Sequence, residues 1–204
     1  MASHPHLRSP LDGRGAALMN QRQYFMALLP NAKIQADVTC LKQYCCDRYQ
    51  TQAALRSPPH VTLYPPFWWP DAAVADLEQA LETFSCQAAP VELIFDGFAA
   101  FAPRVIYIHV APTPALKDLQ AQLIKAVVKP LKLPPTQRHP FTPHMTIAFR
   151  DLTKENFRHA WAEFQKKPFA ARCWVSHLTL LVHNGRRWQV YREFLLRNLA
   201  SDAP

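Results

Sequence analysis

Pro59-His60-Val61-Thr62-Leu63 recurs 84 residues later as Pro143-His144-Met145-Thr146-Ile147. Each copy sets an imidazole and a hydroxyl two residues apart in an apolar, β-forming run. Successive side chains of a strand alternate faces, so His60 and Thr62 share one face while Val61 and Leu63 turn to the core, and the second copy repeats this. With 9 His and 10 Thr in 204 residues, a His-x-Thr triplet arises by chance roughly 0.4 times. Two copies that each follow a proline therefore carry the information. A third triplet, His177-Leu178-Thr179, lacks the proline, and its His177 reads as a structural strand residue.

The same offset extends beyond the motifs. It lays the amphipathic segment Asp71 to Phe84 on the one that begins near Lys154, and Val91 to Phe95 on Val175 to Thr179. The chain thus reads as two similar lobes, each bearing one motif.

Working outward from the first motif, Ser57-Pro58-Pro59 stops any helix before His60 and favours extended backbone. Upstream, residues 1–20 read as a flexible tail, and a single bilobal domain is expected over 21–204. Tyr24 to Leu29 forms a strand, and Ile34, Val38, Leu41, Cys45 and Tyr49 form one face of a helix. Downstream, Pro65 to Pro70 is too rich in proline for a central strand and reads as a loop carrying Phe67, Trp68 and Trp69. Asp71 is the expected N-cap of a helix with the stripe Val74, Leu77, Leu81 and Phe84. Strands at Val91 to Phe95 and Val105 to Val110 follow. Thr113-Pro114 opens a third helix, and Lys132 to Pro143 is a loop that delivers His144. Thr153 caps a last helix with Phe157, Ala160, Trp161 and Phe164 inward, and Asn184-Gly185 joins a closing hairpin. Only 4 Gly are present, so the glycine-rich turns of nucleotide-binding α/β folds are excluded. The fold class expected is α+β: two pseudo-symmetric lobes, each a mainly antiparallel sheet with packed helices, around a central cleft.

Composition sets the setting. The chain is 49% hydrophobic and 19% charged, ordinary for a globular domain. It has no apolar run long enough to span a bilayer and no signal-peptide core, so a cytoplasmic protein without membrane contact is expected. The 5 Cys lack C-x-x-C spacing, which predicts reduced thiols and no zinc site. A formal charge of +8 favours a polyanionic ligand. Its basic residues cluster loosely at Lys129, Lys132 and Arg138, and at Arg186, Arg187, Arg192 and Arg197.

Two histidines on opposite cleft walls supply a general base and a general acid near neutral pH, and two threonine hydroxyls can donate to an anion. Hydrolysis of a cyclic phosphodiester needs one proton taken from water and one given to the departing oxygen, a task that requires neither metal nor cofactor. Tyr64, Phe67, Trp68, Phe141 and Phe149 are candidates to stack on a nucleobase at the cleft mouth. Arg150, four residues past Thr146 and on the same face by alternation, is a candidate phosphate contact at the rim. His109, His139, His159 and His183 have no partner motif and read as structural or surface residues.

The paired motifs with their prolines resemble those of the two-histidine phosphoesterase superfamily, in particular the bacterial LigT-like 2'-5' RNA ligases or RNA 2',3'-cyclic phosphodiesterases, over roughly residues 22 to 196. The resemblance implies a bilobal, pseudo-two-fold fold. It implies metal-independent opening of 2',3'-cyclic phosphate ends of RNA to 2'-phosphates, with 2'-5' ligation as a side activity. It assigns His60 as proton donor to the leaving 3'-oxygen, His144 as the base that activates water, and Thr62 and Thr146 as the phosphate grip. The chain departs from the pattern in placing Ala148 and Phe149 before Arg150. The partner expected is RNA with a cyclic phosphate or 2'-5' linkage, or a small nucleotide, acted on by a monomer. The alternatives are a catalytically weak RNA-end binding module, and the same chemistry on a cyclic nucleotide that is not RNA.

Overall fold

The computed structural model describes residues 20–135 and 140–198. Nearly all of the expected tail, together with Arg138 and His139, lies outside them. The element order is β1 (Gln21–Leu28), α1 (Ala32–Tyr49), a 3-10 turn (Ala53–Arg56), β2 (Val61–Pro70), α2 (Val74–Gln87), β3 (Val91–Phe101), β4 (Val105–Val110), α3 (Pro114–Leu123), β5 (His144–Ala148), α4 (Lys154–Phe164), β6 (Ala170–Val175), β7 (His177–His183) and β8 (Trp188–Leu195). The strands form two antiparallel sheets, β2-β1-β7-β8 and β5-β4-β3-β6. The motif strands β2 and β5 hold the same edge position in each, as the α+β, two-lobed expectation requires.

The lobes are not consecutive halves of the chain, however. The first sheet takes two strands from the N-terminal part and two from the C-terminus. The offset that matches the motifs therefore fails for Val91 to Phe95: its overlay spans the break at Ser176, and Val91 pairs with Val175 inside one sheet. The main apolar core, including Tyr24, Met26, Val38, Leu77, Leu93, Ile108, Leu123, Ile147, Phe164 and Leu180, runs through both sheets, with a small second cluster of Phe25, Ala27 and Leu181. Helix α1 packs on β5 and α4, so it ties the first motif's connection to the second motif's sheet.

Local chemistry sets the helix starts. The Asn31 side chain accepts from Ile34 N at 3.0 Å and opens α1; Thr113 and Thr153 cap α3 and α4 in the same way. Asp71 is not a cap. It lies in a 3-10 turn before α2, and its carboxylate accepts from Arg22 Nε at 2.6 Å.

The segment Pro65 to Pro70 is strand, not loop. It extends β2, and edge position makes this permissible because a proline there forfeits no ladder bond. Pro65 and Pro66 together oppose Phe25, since Tyr24 pairs with Phe67 and Met26 with Tyr64, which is a bulge of two residues against one.

A second bulge lies closer to the motif and has a counterpart at the same place in the other lobe. Thr62 pairs with Ala27 but Tyr64 with the next residue, Met26; Thr146 pairs with Tyr107 but Ala148 with Ile106. Each His-x-Thr is thus followed at once by an extra residue that reverses the alternation of faces.

Candidate active site

Between the two sheets lies a cleft of ≈ 510 Å³ whose walls include His60, Thr62, His144 and Thr146. The four residues read from the paired motifs are brought together, two from each lobe. Both imidazoles and both threonines are half-buried. The Thr62 and Thr146 hydroxyls have no protein partner among the described residues.

The two histidines are held identically. His60 Nδ1 lies 2.7 Å from the Pro58 carbonyl, and His144 Nδ1 lies 2.7 Å from the Thr142 carbonyl. A carbonyl oxygen only accepts, so each Nδ1 carries the proton and each Nε2 is left to take or give one. Prolines Pro58 and Pro59 before one motif and Pro143 before the other keep these approach segments extended and non-helical. Aromatic rings fix the ring planes: Phe25 packs on His60 at 4.8 Å between centroids, while Phe101 and Tyr107 flank His144 at 5.2 and 5.1 Å.

Burial sets the protonation state of the free protein. Desolvation lowers the His60 pKa to about 4, helped by the Lys42 ammonium and by His144 and opposed by the Pro58 carbonyl. Desolvation also lowers His144, against the pull of the Thr142 carbonyl. In the free protein, burial thus holds both rings toward the neutral form.

The remaining walls correct several expectations. Tyr64 and Phe67 face the core, 1% and 3% exposed, because the bulges after Thr62 and at Pro65-Pro66 turn them away from the cleft. The Tyr64 hydroxyl donates to the Pro134 carbonyl. Phe141 packs half-buried against the core, and Trp68 is exposed outside the cleft. Phe149 and Arg150 do line it, though not by alternation along a strand, for β5 ends at Ala148. The bulge at Ile147 turns Phe149 inward, and Arg150 adopts a left-handed backbone, φ +59°, that a long side chain rarely takes. Its guanidinium lies 5.4 Å from the Phe149 ring.

Sequence reasoning missed the residues that complete the walls. His183, expected to be structural or surface, lines the cleft with Trp188, its cross-strand partner in the β7–β8 hairpin. The Gly185 N–H donates to His183 Nδ1 at 3.2 Å, so this imidazole has the opposite tautomer from the motif pair. Gln23, Phe25, Phe101 and Arg56 add to the lining, and among the described residues no carboxylate does. Of the basic residues noted near the C-terminus, Arg192 is committed to Glu78 and Glu82. Arg56, Arg150, Arg186 and Arg187 have no ion-pair partner among the described residues.

This chain and its fold match a known family. A family model described as the 2'-5' RNA ligase superfamily matches residues 30–187. The chain belongs to that superfamily. A protein from Oceanobacillus iheyensis named "Putative phosphoesterase OB1230" is 28% identical over 177 residues, covering 85% of this chain and 98% of its own. Among solved structures, LigT of Escherichia coli complexed with 3'-AMP superimposes with a TM-score of 0.65 at 19% identity, over 87% of this chain and 99% of that one. TT0787 of Thermus thermophilus gives 0.63 at 19%, over 86% and 98%. At such identity these likenesses establish the shared superfamily architecture, and membership supports activity of the phosphoesterase type.

Proposed function

We propose that this protein is a metal-independent phosphoesterase that hydrolyses a 2',3'-cyclic phosphate or 2'-5' phosphodiester in RNA or a small nucleotide. The observation that carries the reading is the matched clamp on His60 and His144, which leaves two Nε2 atoms in one cleft that also holds two unpartnered threonine hydroxyls. In-line displacement needs a base on one side of phosphorus and an acid on the other. The base Nε2 takes a proton from water as its oxygen bonds to phosphorus; the acid Nε2–H gives a proton to the ribose oxygen as the P–O bond breaks. Thr62 and Thr146 donate to the non-bridging oxygens, whose charge grows in the transition state. The resemblance orders the pair as His60 acid and His144 base.

The bound phosphate also favours the proton that the acid needs, which is taken up from solvent. Its negative charge favours an imidazolium beside it, so binding raises both histidines from their depressed resting values. A cleft of this size suits a nucleotide-sized ligand. The same fold in LigT has been captured with 3'-AMP, ATP and NADP+, which supports a nucleotide as the ligand class here.

The test is hydrolysis of nucleoside 2',3'-cyclic monophosphates and of an RNA oligonucleotide ending in a cyclic phosphate, with EDTA present. We expect turnover in the native protein and a loss of roughly 10²-fold to 10⁴-fold in both His60→Ala and His144→Ala, with substrate binding retained. Tight binding of both ligands without turnover in the native protein would instead assign an RNA-end binding module.

A further inference from the structure

Lys42 lies in the middle of α1 with 2% of its surface exposed, and no carboxylate among the described residues pairs with it. Its Nζ makes one hydrogen bond, donated to the Ser57 carbonyl at 3.0 Å. An ammonium in such a setting costs stability, and desolvation holds its pKa down to about 8. A methionine, one heavy atom shorter, would fill most of the space without that cost. The position therefore calls for an explanation beyond packing.

Its one partner supplies it. Ser57 precedes Pro58, whose carbonyl holds His60 Nδ1 at 2.7 Å. Lys42 thus grips the backbone one residue before the group that orients the imidazole. We propose that Lys42 is a positioning residue for His60: it anchors the Ser57–Pro58–Pro59 approach from inside the protein and places a positive charge behind this one histidine of the pair. His144 has the same carbonyl clamp, but Lys42 does not enter among the groups that perturb it. The two lobes, so alike in strand order, bulge and clamp, are made unequal at this point.

The other charged groups around His60 do not provide the same asymmetry. Arg56 on the 3-10 turn and Arg150 after β5 line the open cleft, where water and bound phosphate screen them, and His144 and His183 are themselves titratable. Among the described residues, Lys42 is the one cation that is buried. It is not part of the cleft lining, and so acts through His60.

Two substitutions separate its two contributions. Lys42→Met removes both the hydrogen bond and the charge; Lys42→Gln keeps a donor within reach of the Ser57 carbonyl and removes only the charge. Imidazole titration followed by NMR, with His60→Gln to assign the resonance, reads the charge without requiring turnover. We expect His60 to titrate at higher pH in both variants while His144 stays nearly fixed. With a cyclic phosphate substrate, Lys42→Met should lose roughly 10-fold to 100-fold in kcat, the cost of a slightly misplaced catalytic group, and Lys42→Gln should recover most of it. An unchanged His60 titration in folded Lys42→Met and Lys42→Gln overturns the proposal. This inference places His60 in the site read above, but a protein that fails to hydrolyse any phosphodiester would refute that reading alone, because the titration would still report on Lys42.

Discussion

His60 and His144 each surrender one ring nitrogen to a backbone carbonyl, and what remains is a pair of Nε2 atoms facing one cleft. In the proposed mechanism the productive free protein carries one proton on the pair. Burial and Lys42 hold His60 to about 4, and burial holds His144 below its usual 6.5. Raising the pH through the higher of the two values removes the acid; lowering it through the lower one protonates the base. The kcat/KM profile, which reports the free enzyme, should therefore be a bell whose optimum lies on the acid side of neutrality, its limbs belonging to the pair rather than to either ring. Bound phosphate stabilises imidazolium, so the kcat profile should peak at higher pH than kcat/KM. Coincident profiles, or a kcat/KM optimum on the alkaline side of neutrality, would mean that these histidines are not the titrating groups.

At the scale of elements, the cleft is assembled by connections that the motifs do not contain. Asp151, just past β5, reaches back across the junction: its carboxylate accepts from Thr51 Oγ1 at 2.6 Å and from the Gln52 and Ala53 N–H groups, both at 3.0 Å. It thereby caps the 3-10 turn that carries Arg56 and locks it beside Arg150. Asp151→Ala leaves the fully buried Thr51 hydroxyl only the Phe149 carbonyl at 3.4 Å, and removes the acceptor of the Gln52 and Ala53 amides, of which Ala53 is buried. We expect it to cost about 2 kcal/mol in chemical denaturation, and to raise KM for a cyclic phosphate more than it lowers kcat. Unchanged stability would show the carboxylate to be dispensable. No local pattern announces such a clamp, since its donors and acceptor lie far apart in sequence. The paired triplets, helices α1, α3 and α4 and the closing hairpin were legible because periodicity and caps agreed. Strand β6 was not, for only Cys173 and Val175 of its six residues are buried. Nor was the true stripe of α1, where Lys42 rather than Leu41 occupies the core position between Val38 and Cys45. A lysine at helical spacing among apolar neighbours was the available signal. The bulges after each Thr defeated the assignment of Tyr64, because strict alternation was assumed through a point where the strand gains a residue.

Across the whole molecule, pseudo-symmetry delivers the two His-x-Thr pairs and asymmetry supplies the rest of the surface around them. Among the described residues carboxylates are absent from the cleft lining, and Arg56 and Arg150 stand in its walls. The hairpin tip adds Arg186 and Arg187 between the cleft residues His183 and Trp188, with both arginine amides tied to the Asn184 side chain. If Thr62 and Thr146 grip the reacting phosphate as proposed, a cyclic mononucleotide has no further phosphate to offer these cations. An oligonucleotide can lay further phosphates along these cations, with Trp188 available for a base to stack on. Each single-strand phosphate neutralised contributes a slope of about −0.7 in log affinity against log salt. If RNA is the substrate, binding of a cyclic-phosphate-ended oligonucleotide should weaken with salt more steeply than binding of the mononucleotide. Replacing Arg186 and Arg187 together by Ala should flatten the oligonucleotide's slope by about 1 to 1.5 and leave mononucleotide hydrolysis within about twofold, as expected for screened surface charges. Equal slopes for the two ligands, unaffected by the double substitution, would assign the cleft to a small cyclic nucleotide and make the net charge of +8 incidental to catalysis.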